Sequence, residues 1–199
     1  LLQLIDKGVT VGQVANVTQN FTQAGIMVHA YLMYGYPTQT IQETVDSLEM
    51  VRQLFELGIV QSGFWHQFAL TAHSPVGLNP EQFGVEILNK NLGTFANNDL
   101  EFVDKTRIDH GKFSFGLKKS LFNFMHGICF DYPLQDWFEF KIPRTTIRPN
   151  YIENAINQEQ NLAVKDTAKV VWLGQLPIVS KQIVRKKGID KEISILSFH

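Results

Sequence analysis

An α/β chain with neighbouring parallel strands is what this sequence predicts, on three observations. The run Gly25-Ile-Met-Val-His-Ala-Tyr-Leu-Met-Tyr34 is apolar, partly β-branched and aromatic, and it breaks at Gly35-Tyr36-Pro37, as a strand does before a turn. Apolar residues then recur at Ile41, Val45, Leu48, Val51 and Phe55, up to Gly58, which is the spacing of one helix face. A second aromatic-rich run, Gly63 to Thr71, follows, bounded by Gly58 and by Ser74-Pro75. Strand, helix and strand at this spacing require a right-handed crossover, hence two parallel strands with the helix on one face. A barrel segment and an open doubly wound sheet both satisfy the pattern.

The opening Leu1 to Asp6 reads as a helix closed by Lys7-Gly8. Because the chain lacks an initiator Met and starts inside that helix, an excised piece of a longer protein is expected. Thr10 with Gln13 forms a capping box, in which a hydroxyl and an amide each satisfy an orphan helix-end N–H. Val14, Val17, Phe21 and Ala24 mark that helix's apolar face, and Gly25 stops it. Thr40 with Glu43 forms a second capping box at the start of the Ile41 helix. Free N–H groups and the positive end of the helix dipole meet at this turn, so an anionic or polar ligand is accommodated there.

Alternation along the first strand separates a helix-facing set, Ile26, Val28, Ala30 and Leu32, from a larger, more polar set, Met27, His29, Tyr31 and Met33. On the second strand Trp65, Gln67 and Ala69 are assigned to the open side. Phe64, Phe68 and Leu70 are assigned to the helix side, with His66 the awkward member. A strand histidine or tyrosine serves more often as a hydrogen-bonded core group than as a ligand contact.

Beyond residue 76 the pattern changes. Asn79-Pro80-Glu81 opens a short helix, and the polar stretches Asn97-Asn98-Asp99 and Asp104-Lys-Thr-Arg107 read as loop. Ser114 to Gly127 is an amphipathic helix, with Leu117, Leu121 and Phe124 on one side and Lys118 and Lys119 on the other. Phe113, Phe115, Phe122 and Phe130 widen its apolar surface as core. His126 and Cys129 lie three apart, but a metal site needs further ligands at suitable spacing, so Cys129 reads as a buried apolar-like thiol. Pro133 ends the helical run, and Trp137 to Ile142 alternates like a strand. Residues 143–165 are polar surface with a helical stretch at Tyr151 to Ile156. Ala168 to Leu173, Pro177 to Val184 and Glu192 to Phe198 are β-rich, with a tight hairpin at Gly174-Gln175 and an edge position for Pro177. Lys181, Arg185, Lys186 and Lys187 read as a solvated hairpin tip beside Gly188-Ile-Asp190.

Composition bounds the function classes. The chain has 199 residues, 44% hydrophobic and 19% charged, with net charge −1, which suits one domain or one plus an appendage. Lacking a basic excess, it is a poor candidate for nucleic-acid binding. No apolar run reaches the roughly 18 residues of a membrane span, and the start lacks the basic region of a signal peptide. A cytoplasmic protein without a membrane partner is expected. The single cysteine, Cys129, excludes an internal disulfide and agrees with a reducing compartment.

Two of these stretches carry a family resemblance. Gly35-Tyr-Pro-Thr-Gln-Thr40, after a strand that begins at an Ala-Gly-Ile turn, resembles the Gly-aromatic/Leu-Pro-Gly-Glu-Thr segment of radical S-adenosylmethionine (SAM) proteins. Phe68-Ala-Leu-Thr-Ala-His-Ser-Pro75 is similar to the point where those proteins leave their sixth barrel strand. Residues 1–76 thus resemble the last third of a radical SAM partial barrel, of the cobalamin-associated and Fe–S oxidoreductase type. The resemblance implies an α/β fold: the C-terminal part of a parallel (βα) partial TIM-type barrel over 1–76, followed by an α+β C-terminal extension over 77–199, helical and then β-rich.

It also implies roles at the matching positions. Met33, Gly35, Tyr36 and Pro37 would approach the adenosyl part of SAM, Gly35 letting backbone come close. Thr71, Ser74 and Pro75 would lie against the adenine. His29, Tyr31, Trp65 and Gln67 would face the lumen, where a small-molecule substrate meets the 5′-deoxyadenosyl radical. The cofactor carries the hard chemistry and the protein orients it; no catalytic residue is assigned. The chain departs from the family at Thr38 and Gln39, where Gly and Glu are usual, and it lacks the defining Cys-x-x-x-Cys-x-x-Cys. One cysteine cannot hold a [4Fe–4S] cluster, so the cluster ligands are expected outside this chain, with cobalamin an optional further cofactor.

Two function classes follow. One is a fragment of a radical SAM enzyme, not competent alone. The other is a binding or interaction module in which the strand-turn-helix unit is scaffold. A phosphate site at Gly35 to Thr40 lacks the Gly-rich cradle and Lys such sites use. A truncated barrel leaves an open sheet edge, so self-association, or an edge covered by the C-terminal segment, is expected.

Overall fold

The computed structural model describes residues 8–89, 98–161, 178–186 and 189–197. The chain divides into two compact units, Leu1–Leu162 and Ala163–His199. Its elements form a mixed α/β fold with small sheets of two, three and two strands, and no closed barrel among the described residues.

Both capping boxes are formed. Thr10 N–H donates to Gln13 Oε1 at 2.9 Å and Gln13 N–H to Thr10 Oγ1 at 3.1 Å, starting α1 (Val11–Gln23). Thr40 N–H donates to Glu43 Oε2 at 2.7 Å and Glu43 N–H to Thr40 Oγ1 at 3.2 Å, starting α2 (Ile41–Glu56). Between them runs β1 (His29–Tyr34), and after α2 comes β2 (Ser62–Gln67). The two strands are parallel, in register from His29↔Ser62 to Tyr34↔Gln67. The strand-helix-strand unit read from the periodicity is therefore present.

The main core closes one face of this ribbon. Val45, Leu48, Val51 and Phe55 of α2 pack with Trp65, with Ala30 and Leu32 of β1, and with Leu117, Leu121 and Phe124 of α4 (Ser114–Met125). Here the facing of the second strand is corrected. Residues paired in a parallel register share a face, so Leu32↔Trp65 and Ala30↔Gly63 point to the helices, while Tyr31↔Phe64 and Met33↔His66 point away. Trp65, expected on the open side, is only 2% exposed in the core, and Phe64 is 49% exposed. Trp65 packs in the same cluster as the α2 and α4 residues, the bulkiest side chain of the strand going to the covered face. The awkward placement of His66 was the sign of the inverted alternation.

The single strand expected from Gly63 to Thr71 is broken. Phe68 N–H donates to Tyr34 O at 2.8 Å, beyond the last paired residues of the ribbon. The chain then turns, and β3 (Leu70–Thr71) joins an antiparallel sheet of order β3-β5-β4, with β4 at Val85–Asn89 and β5 at Asp99–Asp104. Asp99 and Asp104, both expected in loop, are the two ends of β5. That is the central strand, its half-buried Leu100, Phe102 and Asp104 alternating with exposed acids and Val103. Ser74 caps α3 (Pro75–Leu78), and a 3₁₀ turn follows at Pro80–Phe83.

Helix α4 forms as expected but ends at Met125, with Gly127 at φ +70°, well before Pro133. Its aromatic surface is divided: Phe113 and Phe124 are core, whereas Phe115 and Phe122 are exposed. Cys129 is half-buried against the core cluster. Trp137 to Ile142 alternates in burial but is not a strand; Leu134–Trp137 is a 3₁₀ turn, and Trp137, Phe138, Phe140 and Ile142 insert into the aromatic core instead of meeting a strand edge. The polar segment after it is fastened to α2, where Asp46 Oδ1 accepts Thr146 N–H at 2.7 Å and Thr145 Oγ1 at 2.8 Å. Helix α5 (Tyr151–Asn161) packs Ile152 and Ile156 against Ala15 of α1. Position 76 is thus no packing boundary, since residues on both sides build the same core.

The second unit contains a hairpin, β6 (Ile178–Lys186) and β7 (Ile189–Ser197), paired from Ile178↔Ser197 to Lys186↔Ile189. Its exposed cations meet acids across the strands, Lys181 with Glu192 at 3.0 Å and Arg185 with Asp190 at 3.5 Å. The opening helix expected from Leu1 to Asp6 with Lys7 closing it, Asn97, residues 162–165 of the polar stretch, the strand expected from Ala168 to Leu173 with its hairpin at Gly174-Gln175, Pro177, Lys187, Gly188 and Phe198 lie outside the described residues. Among the described residues no helix is long and apolar enough to cross a membrane.

Candidate functional site

The carboxyl ends of β1 and β2 meet the turn Gly35–Thr40, and the turn is built from within. Gly35 has φ +76° and Thr38 φ +69°, the latter in a region that costs a β-branched residue about 1–2 kcal/mol. The buried Gln39 turns its Oε1 inward to accept Gly35 N–H at 2.7 Å and Tyr36 N–H at 3.2 Å. Asp104, at the end of β5, accepts Thr38 N–H at 2.6 Å on one oxygen. Its other oxygen takes Thr106 N–H at 2.9 Å, Thr106 Oγ1 at 2.6 Å and Arg107 N–H at 3.1 Å. Burial pushes the Asp104 carboxyl up, but the Thr106 hydroxyl and these N–H groups outweigh it and hold the acid below the usual carboxylate range. Within the turn the Thr38 N–H is thus taken by the chain's own carboxylate.

Above Gly35 lies His110. A side chain on Gly35 would meet His110 Cβ at 3.1 Å and Cγ at 3.2 Å, and Gln67 Cγ at 3.4 Å. His110 begins the 3₁₀ turn His110–Phe113, after Asp109 has accepted Gly111 N–H at 3.1 Å. The residue is only 7% exposed, and neither ring nitrogen has a hydrogen-bond partner among the described residues. Burial lowers its pKa against the opposing charges of Asp104 and Asp109, so the ring is neutral near pH 7 and offers one donor and one acceptor. Gln39 Nε2 is likewise buried without a partner. Each such group costs on the order of 1–3 kcal/mol, which makes this the most polar-frustrated spot in the described structure. Sequence reasoning passed over His110. The available signal was Asp109-His110-Gly111, a capped turn at the point where the chain re-enters the core.

The residues singled out from the sequence fall into three groups. Gly35 and Gln67 lie together under His110. His29 and Tyr31 lie on the open face, with Tyr31 79% exposed and His29 Nδ1 2.7 Å from Ser62 Oγ. The remainder are engaged in the fold. Tyr36 is buried edge-on to Phe68, with ring centroids 5.0 Å apart; Pro37 is fully buried; Met33 packs beside Tyr36 and Leu70. Ser74 Oγ donates to Thr71 O at 2.8 Å and accepts Gly77 N–H at 3.1 Å, with Pro75 as the first residue of α3. The side chains of Tyr36, Pro37 and Trp65 therefore face the interior and not a ligand, Tyr36 and Trp65 each within a core cluster and Pro37 fully buried. The two strand exits do adjoin, since Tyr36 shares a cluster with Leu70 and Val76.

A cavity of about 730 Å³ lies elsewhere, between Thr10–Gly12 and the Thr146–Gln158 region, and holds no acid–base pair. Among the described residues no group of His, Cys, Asp and Glu is arranged to hold a metal ion. With one cysteine, a [4Fe–4S] cluster does not fit this chain's own residues. Comparisons with family models, curated proteins and solved structures find no significant match to this chain.

Proposed function

We propose that this chain is part of a radical SAM enzyme of the Fe–S oxidoreductase type, contributing the C-terminal strands of a partial barrel and one wall of the SAM and substrate pocket, with the cluster ligands outside it. The observation that carries this reading is the asymmetry of the β1–β2 ribbon. Its helix face is closed, while the other presents Met27, His29, Tyr31 and Phe64, and the ribbon consists of these two parallel strands alone among the described residues. That is the form of a barrel-wall segment whose inner face awaits the remaining strands. Under this reading His29 and Tyr31 orient a small-molecule substrate, joined by Phe64 and His66 in place of Trp65. The backbone at Gly35 and the exit at Thr71 border the nucleoside. SAM supplies the radical when bound; the chain holds, orients and excludes water.

The test is the coding region directly upstream, followed by reconstitution of the longer protein with iron and sulfide. Cys-x-x-x-Cys-x-x-Cys in that region and release of 5′-deoxyadenosine from SAM are the expected results. An upstream region without that motif ends the proposal.

A second reading, a non-catalytic interaction module, draws support from a turn whose N–H groups are already taken by Gln39 and Asp104. It expects the open face to be covered by a second copy or another protein. A monomer by light scattering whose Tyr31 and Phe64 remain accessible to solvent counts against it.

A further inference from the structure

We propose that the His110 imidazole is a displaceable plug over Gly35, closing the strand-end site until an entering ligand pushes it aside. The inference rests on the preceding reading of that end as the ligand-binding edge. It goes beyond it by assigning the closure to one side chain.

Three features support a plug over a fixed core residue. The His110 side chain lies over the bare Gly35 backbone, its Cβ 3.1 Å and its ring atom Cγ 3.2 Å from where a Cβ on Gly35 would stand, so the inward ring covers that approach. No hydrogen bond among the described residues tethers it: both nitrogens are enclosed without partners. An inward ring therefore forgoes interactions that solvent or a ligand would supply, and an outward swing recovers them. The neighbouring chain also permits a local movement. His110 is the first residue of its short turn and is followed by Gly111, whereas Phe113 at the other end is 1% exposed and anchored in the core. In the same turn, Gln39 holds Gly35 N–H with its oxygen and keeps a buried amide N–H₂ unpartnered. That amide is a spare donor in the turn for an acceptor atom on the incoming ligand, with the exposed Gln67 beside Gly35. Under the preceding reading that ligand is a nucleoside.

The test is carbethoxylation of the folded chain by diethyl pyrocarbonate, read residue by residue by mass spectrometry. Exposed His73 serves as the internal standard, and global unfolding is measured in parallel. The plug predicts that His110 reacts within about a hundredfold of His73 and far faster than the chain unfolds, through local opening. Reaction of His110 only at the rate of global unfolding overturns it, whatever the ligand. Adenosine as the probe separates the two layers. Faster His110 labelling in its presence supports displacement by a nucleoside; unchanged labelling of a ring that does open leaves the plug standing and counts against the nucleoside reading. Among variants, His110→Ala is expected to bind adenosine at least several-fold more tightly than the native chain, and His110→Phe more weakly. Measurable and equal binding by all three overturns the plug, because a ring that blocks nothing changes nothing.

Discussion

The two faces of the β1–β2 ribbon are both rich in large apolar side chains and meet opposite fates. On one, Ala30, Leu32, Gly63 and Trp65 lie under α2 and α4; on the other, Tyr31 and Phe64, one residue away on each strand, stand in the open. Hydrophobicity alone does not choose the buried face of a strand. The choice is made by the helix stripe that must be covered, here Val45, Leu48, Val51 and Phe55. Once that stripe is laid down, every second strand residue is committed to it.

Trp65→Ala is expected to lose about 3–5 kcal/mol by denaturant unfolding, the cost of a large cavity in a packed core. A loss under about 1 kcal/mol would mean that the closed face is assigned wrongly. At the carboxyl edge, where the two faces meet, Asp104→Asn removes the charge from four hydrogen bonds and is expected to cost about 1.5–3 kcal/mol at pH 7. The sign with pH follows from a carboxyl whose folded pKa is depressed. Its stabilisation is present above the unfolded value of about 3.9 and disappears as pH falls through the lower folded value. Native and Asn variant should therefore converge in thermal melts taken from pH 7 down to the acid side of that range. Gly35→Ala is next, at about 1–2 kcal/mol for a side chain at φ +76° that also meets His110. Thr40→Ala, which removes the N-cap of the helix covering the closed face, should cost about 1 kcal/mol. The smallest effect is on the open face itself: Phe64→Ser is expected to stay within about 0.5 kcal/mol, and a large loss there would reveal a covered surface.

What could be read in advance follows the range of the interactions involved. Both helix starts were legible because Thr10 with Gln13, and Thr40 with Glu43, close hydrogen-bonded loops three residues long. The parallel pairing was legible from the crossover length. The parity of β2 was not, since Phe64-Trp65-His66-Gln67-Phe68 offers bulk on both faces and leaves the alternation without a sign. Strand β5 was missed because Asp99 to Asp104 carries its acids at local positions that resemble a loop, and its partners β3 and β4 lie before it in the chain. His110 was invisible as a site residue because its burial comes from Gly35 and Gln67, far away in sequence.

By itself, then, the sequence determined the local scaffold, two capped helices and a parallel ribbon, because capping and periodic burial act over a few residues. Only the tertiary structure decided which face of that ribbon closed, which carboxylate filled the Gly35–Thr40 turn and which ring came to lie on Gly35. Those outcomes depend on groups distant in the chain competing for one volume, and no local pattern records who wins that competition.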